Sequence, residues 1–332
     1  MSGPLNGVNL GGWLVLERWM TPALFDGSNA PDEQAFMHEK GATERIKKHR
    51  DSFITEVDFA WLANNGVTAI RIPVGFWLFG DYPPYIGCVE YLDWAVDMAD
   101  KYKLSVVIDL HRAPGSQDGH DNSLNSNEAQ WFTDEKYQDQ TLDVLERIAK
   151  RYGKREAVWG IGLLNEPKIT TPSRFFTTRR FYQRAYYRLT PHMRPGAAVI
   201  FSDGFLPRLM SGAVRENKDH PAIMDVHLYQ FMEPFDGWRT LGGHLRRAYT
   251  RRVLIWLLQL RQPIIIGEWS AVISGKKMKH VRQERQRGFE PRYIAKQQNA
   301  YKYAAGQFYW TYKTEGRGVW NFRSLIEDGV IK

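Results

Sequence analysis

The chain has 332 residues and 43% hydrophobic content, enough for a real core and for one α/β barrel or two smaller domains. Cys88 is the single cysteine, which excludes an internal disulfide, and no apolar run approaches the roughly 18–20 residues that would span a bilayer. The net charge of +8 is spread among acidic residues with no nucleic-acid motif, and 12 Trp and 16 Tyr exceed what a core needs.

The first strand candidate, Gly7–Leu10, begins almost at once, so no export signal opens this chain; it is made without one or was trimmed. Ser52–Asn65 follows with Phe53, Val57, Ala60 and Trp61 on one helical face. Then come a strand at Thr68–Pro73, a helix at Glu90–Tyr102, a strand at Ser105–Leu110 and a helix at Gln138–Tyr152. Val158–Leu164 is the fourth strand, Phe175–Leu189 the next helix and Ala198–Ser202 the fifth strand. The connection after it is less clearly helical. Ile223–His227, a helix at Leu254–Arg261, Pro263–Gly267, a helix at Tyr293–Ala305 and Gln307–Thr311 complete the series. Short apolar, β-branched runs alternating with helical patterns imply a parallel sheet with right-handed crossovers. Eight such units read as one (β/α)8 TIM barrel spanning residues 1–332 as a single catalytic domain. No GxGxxG sits in the first βα turn, so a dinucleotide fold has little support.

In such a barrel the chemistry sits where strands end at their C-terminal side. Those ends carry Arg71, His111, Asn165 with Glu166, His227 with Tyr229, Glu268 and Trp310. Each alone reads as a structural residue. The joint pattern across six strands does not, because loop-type Ser, Asp, Gly and Lys would be the ordinary occupants. Glu166 follows strand four and Glu268 strand seven, so their side chains can converge above the barrel. Two carboxylates facing each other across a sugar are the chemical minimum for cleaving a glycosidic bond. One must carry a proton for the leaving oxygen, and the other must be ionised to attack the anomeric carbon. Arg71 is the cation to place beside Glu268, Tyr229 a donor to the same carboxylate, Asn165 a holder of the sugar 2-hydroxyl and Trp310 the floor under the ring. A divalent ion on His111, His227 and the glutamates competes with this reading, but no His pair has compact zinc spacing.

These residues lie in segments with a resemblance. Gly7–Pro22 (GVNLGGWLVLERWMTP), Ala69–Trp77 (AIRIPVGFW), Ile108–Gln117 (IDLHRAPGSQ), Leu163–Pro167 (LLNEP), Ile266–Ala271 (IGEWSA) and Tyr309–Glu315 (YWTYKTE) follow in order at barrel-compatible spacing. The chain resembles glycoside hydrolase family 5, and within it the exo-β-1,3-glucanases of fungi and their bacterial relatives. The resemblance implies Glu166 as acid/base, Glu268 as nucleophile, and Arg71, His111, Asn165, His227, Tyr229 and Trp310 around the −1 sugar. It further implies that Glu17 and Asp121 contact the sugar. The sequence departs from the fungal pattern at two places. His120 stands before Asp121 where those enzymes carry an aromatic, and Met232 stands where their second aromatic falls. In the fungal enzymes the two aromatics clamp the +1 sugar, so the resemblance leaves the linkage preference open.

The expectation is thus a retaining hydrolase of β-glucan that needs no organic cofactor or metal and has no nucleic-acid partner. A transglycosylase using the same glutamates and a silent glucan-binding protein are its rivals. The basic run from Lys276 to Arg287 (KKMKHVRQERQR) reads as a solvated surface segment, with weak contact to an anionic surface as the alternative.

Overall fold

The structure, a computed structural model, describes residues 3–119, 129–231, 236–273 and 283–331, with side chains from 288 in the last stretch. Eight strands, β1 (Leu5–Asn9), β2 (Ala69–Gly75), β3 (Ser105–Arg112), β4 (Val158–Gly162), β5 (Ala198–Ser202), β6 (Ala222–His227), β7 (Ile264–Trp269) and β8 (Gly306–Tyr309), pair in sequence order and close on themselves. Every pairing is parallel, and β8 meets β1 through Leu5–Gly306 to Val8–Tyr309. The expected (β/α)8 barrel is therefore present.

The helices are α1 (Glu33–Met37), α2 (Ala42–Phe53), α3 (Glu56–Asn64), α4 (Val89–Tyr102), α5 (Glu135–Tyr152), α6 (Pro172–Leu189), α7 (Pro207–Met210), α8 (Leu241–Gln259), α9 (Gln283–Tyr301) and α10 (Phe322–Glu327). The expected helix at Ser52–Asn65 is two helices. Thr55 and Asp58 form a capping box that starts α3 anew, so the chain breaks at Ile54–Thr55. Asp134, Thr171 and Thr240 cap α5, α6 and α8 by accepting from backbone N–H groups in the first turn. The connection after β5 holds only the four residues of α7.

Two apolar layers hold the barrel. The larger packs the outward side chains of the strands against the helices. The smaller fills the inside with Ala69, Val107, Trp159, Ala198, Ile200, Ile223, Ile265 and Phe308. Side chains two residues further along a strand face the same way. Ala69 is thus followed inward by Arg71, Val107 by Asp109 and Ile223 by Asp225. The apolar plug ends and a polar layer begins above it.

Alternation alone would turn Glu268 outward, because Ile265 already points in. The register shows what reverses it. Between Asp225 and His227 on β6, β7 advances from Ile265 to Glu268, and it likewise advances from Ile266 to Trp269 while β8 goes from Gln307 to Tyr309. One extra residue in β7 is a bulge, and a bulge re-aims the side chains beyond it. Trp269 consequently packs outside against Tyr301 and Tyr309, and Glu268 faces in.

Candidate active site

Arg71 lies at the centre of the polar layer, fully buried. Its guanidinium donates to Asn9 Oδ1 at 2.9 Å, Glu268 Oε1 at 3.0 Å and Asn165 Oδ1 at 2.9 Å, and it pairs with Asp109 at 3.0 Å and Asp225 at 3.5 Å. Five strands or strand ends are tied to one planar fork. The second oxygen of Glu268 accepts from the Tyr229 hydroxyl at 2.8 Å. Both oxygens of that carboxylate therefore have proton donors, which favours its ionised form.

Glu166 stands just beyond β4 with φ +39°, a left-handed conformation that is costly for a non-glycine residue. Its Oε1 is 2.5 Å from His227 Nδ1. His227 also lies 3.4 Å from Asp225 and 3.6 Å from Glu268. His111 is held by Asp109 at 2.9 Å and stacks on Trp310, with ring centroids 5.5 Å apart and 8° between planes. The Trp310–Thr311 peptide is cis.

One oxygen of each glutamate and a ring nitrogen of His227 lie within 4.8 Å of one another. Such a trio has the ligand types of a cation site. Here Arg71 and Tyr229 already engage both Glu268 oxygens, and Glu166 engages His227 Nδ1, a donor set built for proton transfer.

The electrostatics follow from burial and neighbours. Burial pushes the Glu268 carboxyl above its ordinary 4.5, against the pull of His227 and Arg71. Burial pushes Glu166 up as well, but the His227 hydrogen bond and charge outweigh it and hold the carboxyl below 4.5. Burial opposes charge on His227, yet Glu268, Asp225 and Glu166 raise the imidazole well above 6.5. Both shifts place the proton of that hydrogen bond on His227 Nδ1, facing Glu166. Burial and the charge of Glu268 keep the Tyr229 hydroxyl protonated. Asp203, just past β5, is buried and raised to about 7, and it senses His227 and Glu166.

The structure brings together eight of the residues expected from the sequence: Arg71, His111, Asn165, Glu166, His227, Tyr229, Glu268 and Trp310. Glu17 is at the rim, near enough for its charge to act on Tyr229, and it accepts from Trp19 Nε1 at 2.8 Å. Asp121, His120 and Met232 lie outside the described residues, as do the side chains of 276–287.

The family model described as cellulase (glycosyl hydrolase family 5) matches residues 34–316. The chain belongs to glycosyl hydrolase family 5. Among relatives in that family, the probable glucan 1,3-beta-glucosidase A of Aspergillus fumigatus is 32% identical, covering 99% of this chain and 88% of that protein. The glucan 1,3-beta-glucosidase of Schwanniomyces occidentalis is 33% identical over the same shares. In fold, the rutinosidase from Aspergillus niger superposes with a TM-score of 0.83 at 21% identity, covering 99% of this chain and 98% of that one.

The structure adds residues to this cluster that were not singled out in the sequence. Asp109 and Asp225 orient His111, His227 and Arg71. Their signal was present as Asp-x-His at the ends of β3 and β6, two residues apart and so on one face of a strand. Asn9 carried no comparable signal. Trp320 sits 6.1 Å from Tyr229, 5.7 Å from Phe231 and 5.2 Å from Trp19, so a ring cluster borders the mouth.

Proposed function

We infer that this chain is a retaining β-glucan hydrolase working through Glu166 and Glu268, and that residues 1–332 form one catalytic domain. The observation that carries the reading is the closeness of the two carboxylates, within 4.8 Å between nearest oxygens, with His227 beside them. Retaining glycosidases set the pair at roughly 5–5.5 Å, whereas inverting ones need about 6.5–9.5 Å for an intervening water.

Glu268, ionised and aimed by Arg71 and Tyr229, attacks the anomeric carbon as the bond to the leaving oxygen breaks. The proton of the 2.5 Å hydrogen bond passes from His227 Nδ1 to Glu166, and Glu166 delivers it to that oxygen. Glu166, now a carboxylate, takes a proton from water. The water oxygen displaces Glu268 and the configuration is retained. Arg71 occupies the Asn165 carbonyl oxygen, so the amide nitrogen is the group offered to a 2-hydroxyl. Trp310, stacked on His111, supplies the flat face beneath the sugar. Glu17 and Asp121 add sugar contacts.

The names of the relatives, at 32–33% identity over nearly the whole chain, favour β-1,3-glucan and an exo mode. The test is product release from laminarin oligosaccharides, with cello- and gentio-oligosaccharides in parallel, by the parent and Glu268→Gln. Glucose from laminarin oligosaccharides by the parent alone is the expected result. Activity on another linkage only would move the substrate, and binding without turnover would leave a glucan-binding protein. The ring cluster of Trp19, Phe231 and Trp320 favours transfer to a second sugar as the runner-up reading, since it offers an acceptor a platform. Longer products at high oligosaccharide concentration would support transfer; monosaccharide alone would refute it.

A further inference from the structure

Helix α8 is apolar on two opposite sides. Ala248, Ile255 and Leu258 pack inward with His244 and Arg251. On the other side Tyr249, Val253, Trp256 and Leu257, with Leu260 just past the helix end, are 45–65% exposed. Their spacing of four, three, one and three places them in one stripe. A helix of a barrel shell ordinarily turns charged side chains to water, so a contiguous apolar stripe marks a contact surface.

The surroundings of the stripe are basic. From Gly237 to Gly267 there is no Asp or Glu, and six Arg. Arg246, Arg252 and Arg261 are exposed alongside the apolar residues. Two grooves meet there at Leu254. One, of roughly 400 Å³, runs past Arg246 and past Arg239 and Arg247, which pair with Asp236, and the other, of roughly 350 Å³, runs between Leu257, Leu260, Arg208 and Arg261.

The charge decides what covers this face. A second copy of the chain would set arginines against arginines, because a two-fold interface must be complementary to itself. An anionic bilayer supplies both partners at once: headgroup phosphates for the arginines and an apolar boundary for the stripe. Trp and Tyr are also the side chains that favour that boundary. We propose that α8 is a membrane-docking helix that lays its Tyr249–Leu260 stripe into the surface of an anionic phospholipid bilayer. The stripe lies in the half of α8 that leads into the start of β7, away from the strand ends that carry Glu166 and Glu268, so binding leaves them free to work.

The experiment is co-sedimentation of the full chain with vesicles of phosphatidylcholine alone and of phosphatidylcholine mixed with phosphatidylglycerol. The parent pellets with the anionic vesicles at least about tenfold more tightly than with the neutral ones. Val253→Glu with Trp256→Glu abolishes pelleting while the melting temperature and hydrolytic activity stay at the parent's values. Arg246→Glu with Arg252→Glu removes the preference for phosphatidylglycerol. Hydrogen exchange of the unaltered parent reads the same face without substitution, and vesicles slow exchange over residues 249–260. A parent that stays in the supernatant with both vesicles overturns the proposal. So does pelleting that both double variants keep, or a solution dimer that Val253→Glu dissolves, which would give the face to a second copy.

Discussion

In the proposed mechanism acid catalysis turns on Glu166, and dependence on the leaving group is what separates it from Glu268. Glu166→Gln should cut kcat on laminarin oligosaccharides by roughly 10²–10⁴-fold. On an aryl glucoside whose phenol leaves without a proton, the first step should be nearly untouched, and pre-steady-state release of the phenol checks this. The pH profile belongs to the same scale. Glu268 must be ionised and is raised above 4.5, so activity is lost as pH falls through that raised value. The proton that His227 passes to Glu166 must be present and is held by an imidazole raised well above 6.5, so activity is lost as pH rises through that value. A bell in kcat/KM is expected, with its acid limb above 4.5 and its alkaline limb above 6.5. The individual residues were legible in the sequence because each ended an apolar run with a polar or ring-bearing side chain. Asp203 was not, since an Asp after a strand is ordinary loop chemistry and only its burial makes it unusual.

At the scale of the element, β7 carries what the sequence could not reveal. Strict alternation from Ile265 turns Glu268 away from the barrel, and nothing in Pro263–Gly267 announces an extra residue. The bulge appears only once β6 and β8 stand on either side. Gly267 makes it feasible: its N–H donates to Asp225 Oδ1 at 2.8 Å, and a Cβ there would come within 2.1 Å of the same oxygen. Asp225 cannot retreat, because Arg71 holds its other oxygen at 3.5 Å. Gly267→Ala should therefore cost about 1–3 kcal/mol of stability through overpacking. It should also lower kcat without a matching rise in KM, because Glu268 is displaced. Urea unfolding and steady-state kinetics measure the two effects. The capped starts at Thr171 and Thr240 lie ahead of the helices expected from Phe175 and Leu254, because apolar periodicity marks a helix only where it packs, and an apolar face running from Phe53 to Trp61 concealed the new start at Thr55.

Across the whole molecule the barrel itself was legible, because eight alternations of strand and helix leave little else to build. The centre that ties the strands together was not, since Arg71 reads in sequence as a single cation and in space as a junction. Arg71→Met should remove about 3–5 kcal/mol of stability, leaving Asp109, Asp225 and Glu268 buried without their counter-charge, and a thermal melt shows it directly. The same junction has a pharmacological consequence. A protein with a net charge of +8 keeps three carboxylates around one guanidinium at the floor of its site. That floor is an electrostatic trap for a positively charged ring. A glucose mimic with a protonated nitrogen in place of the ring oxygen should inhibit at concentrations far below those at which glucose does, and neutralising Asp225 as Asn should erase much of that difference.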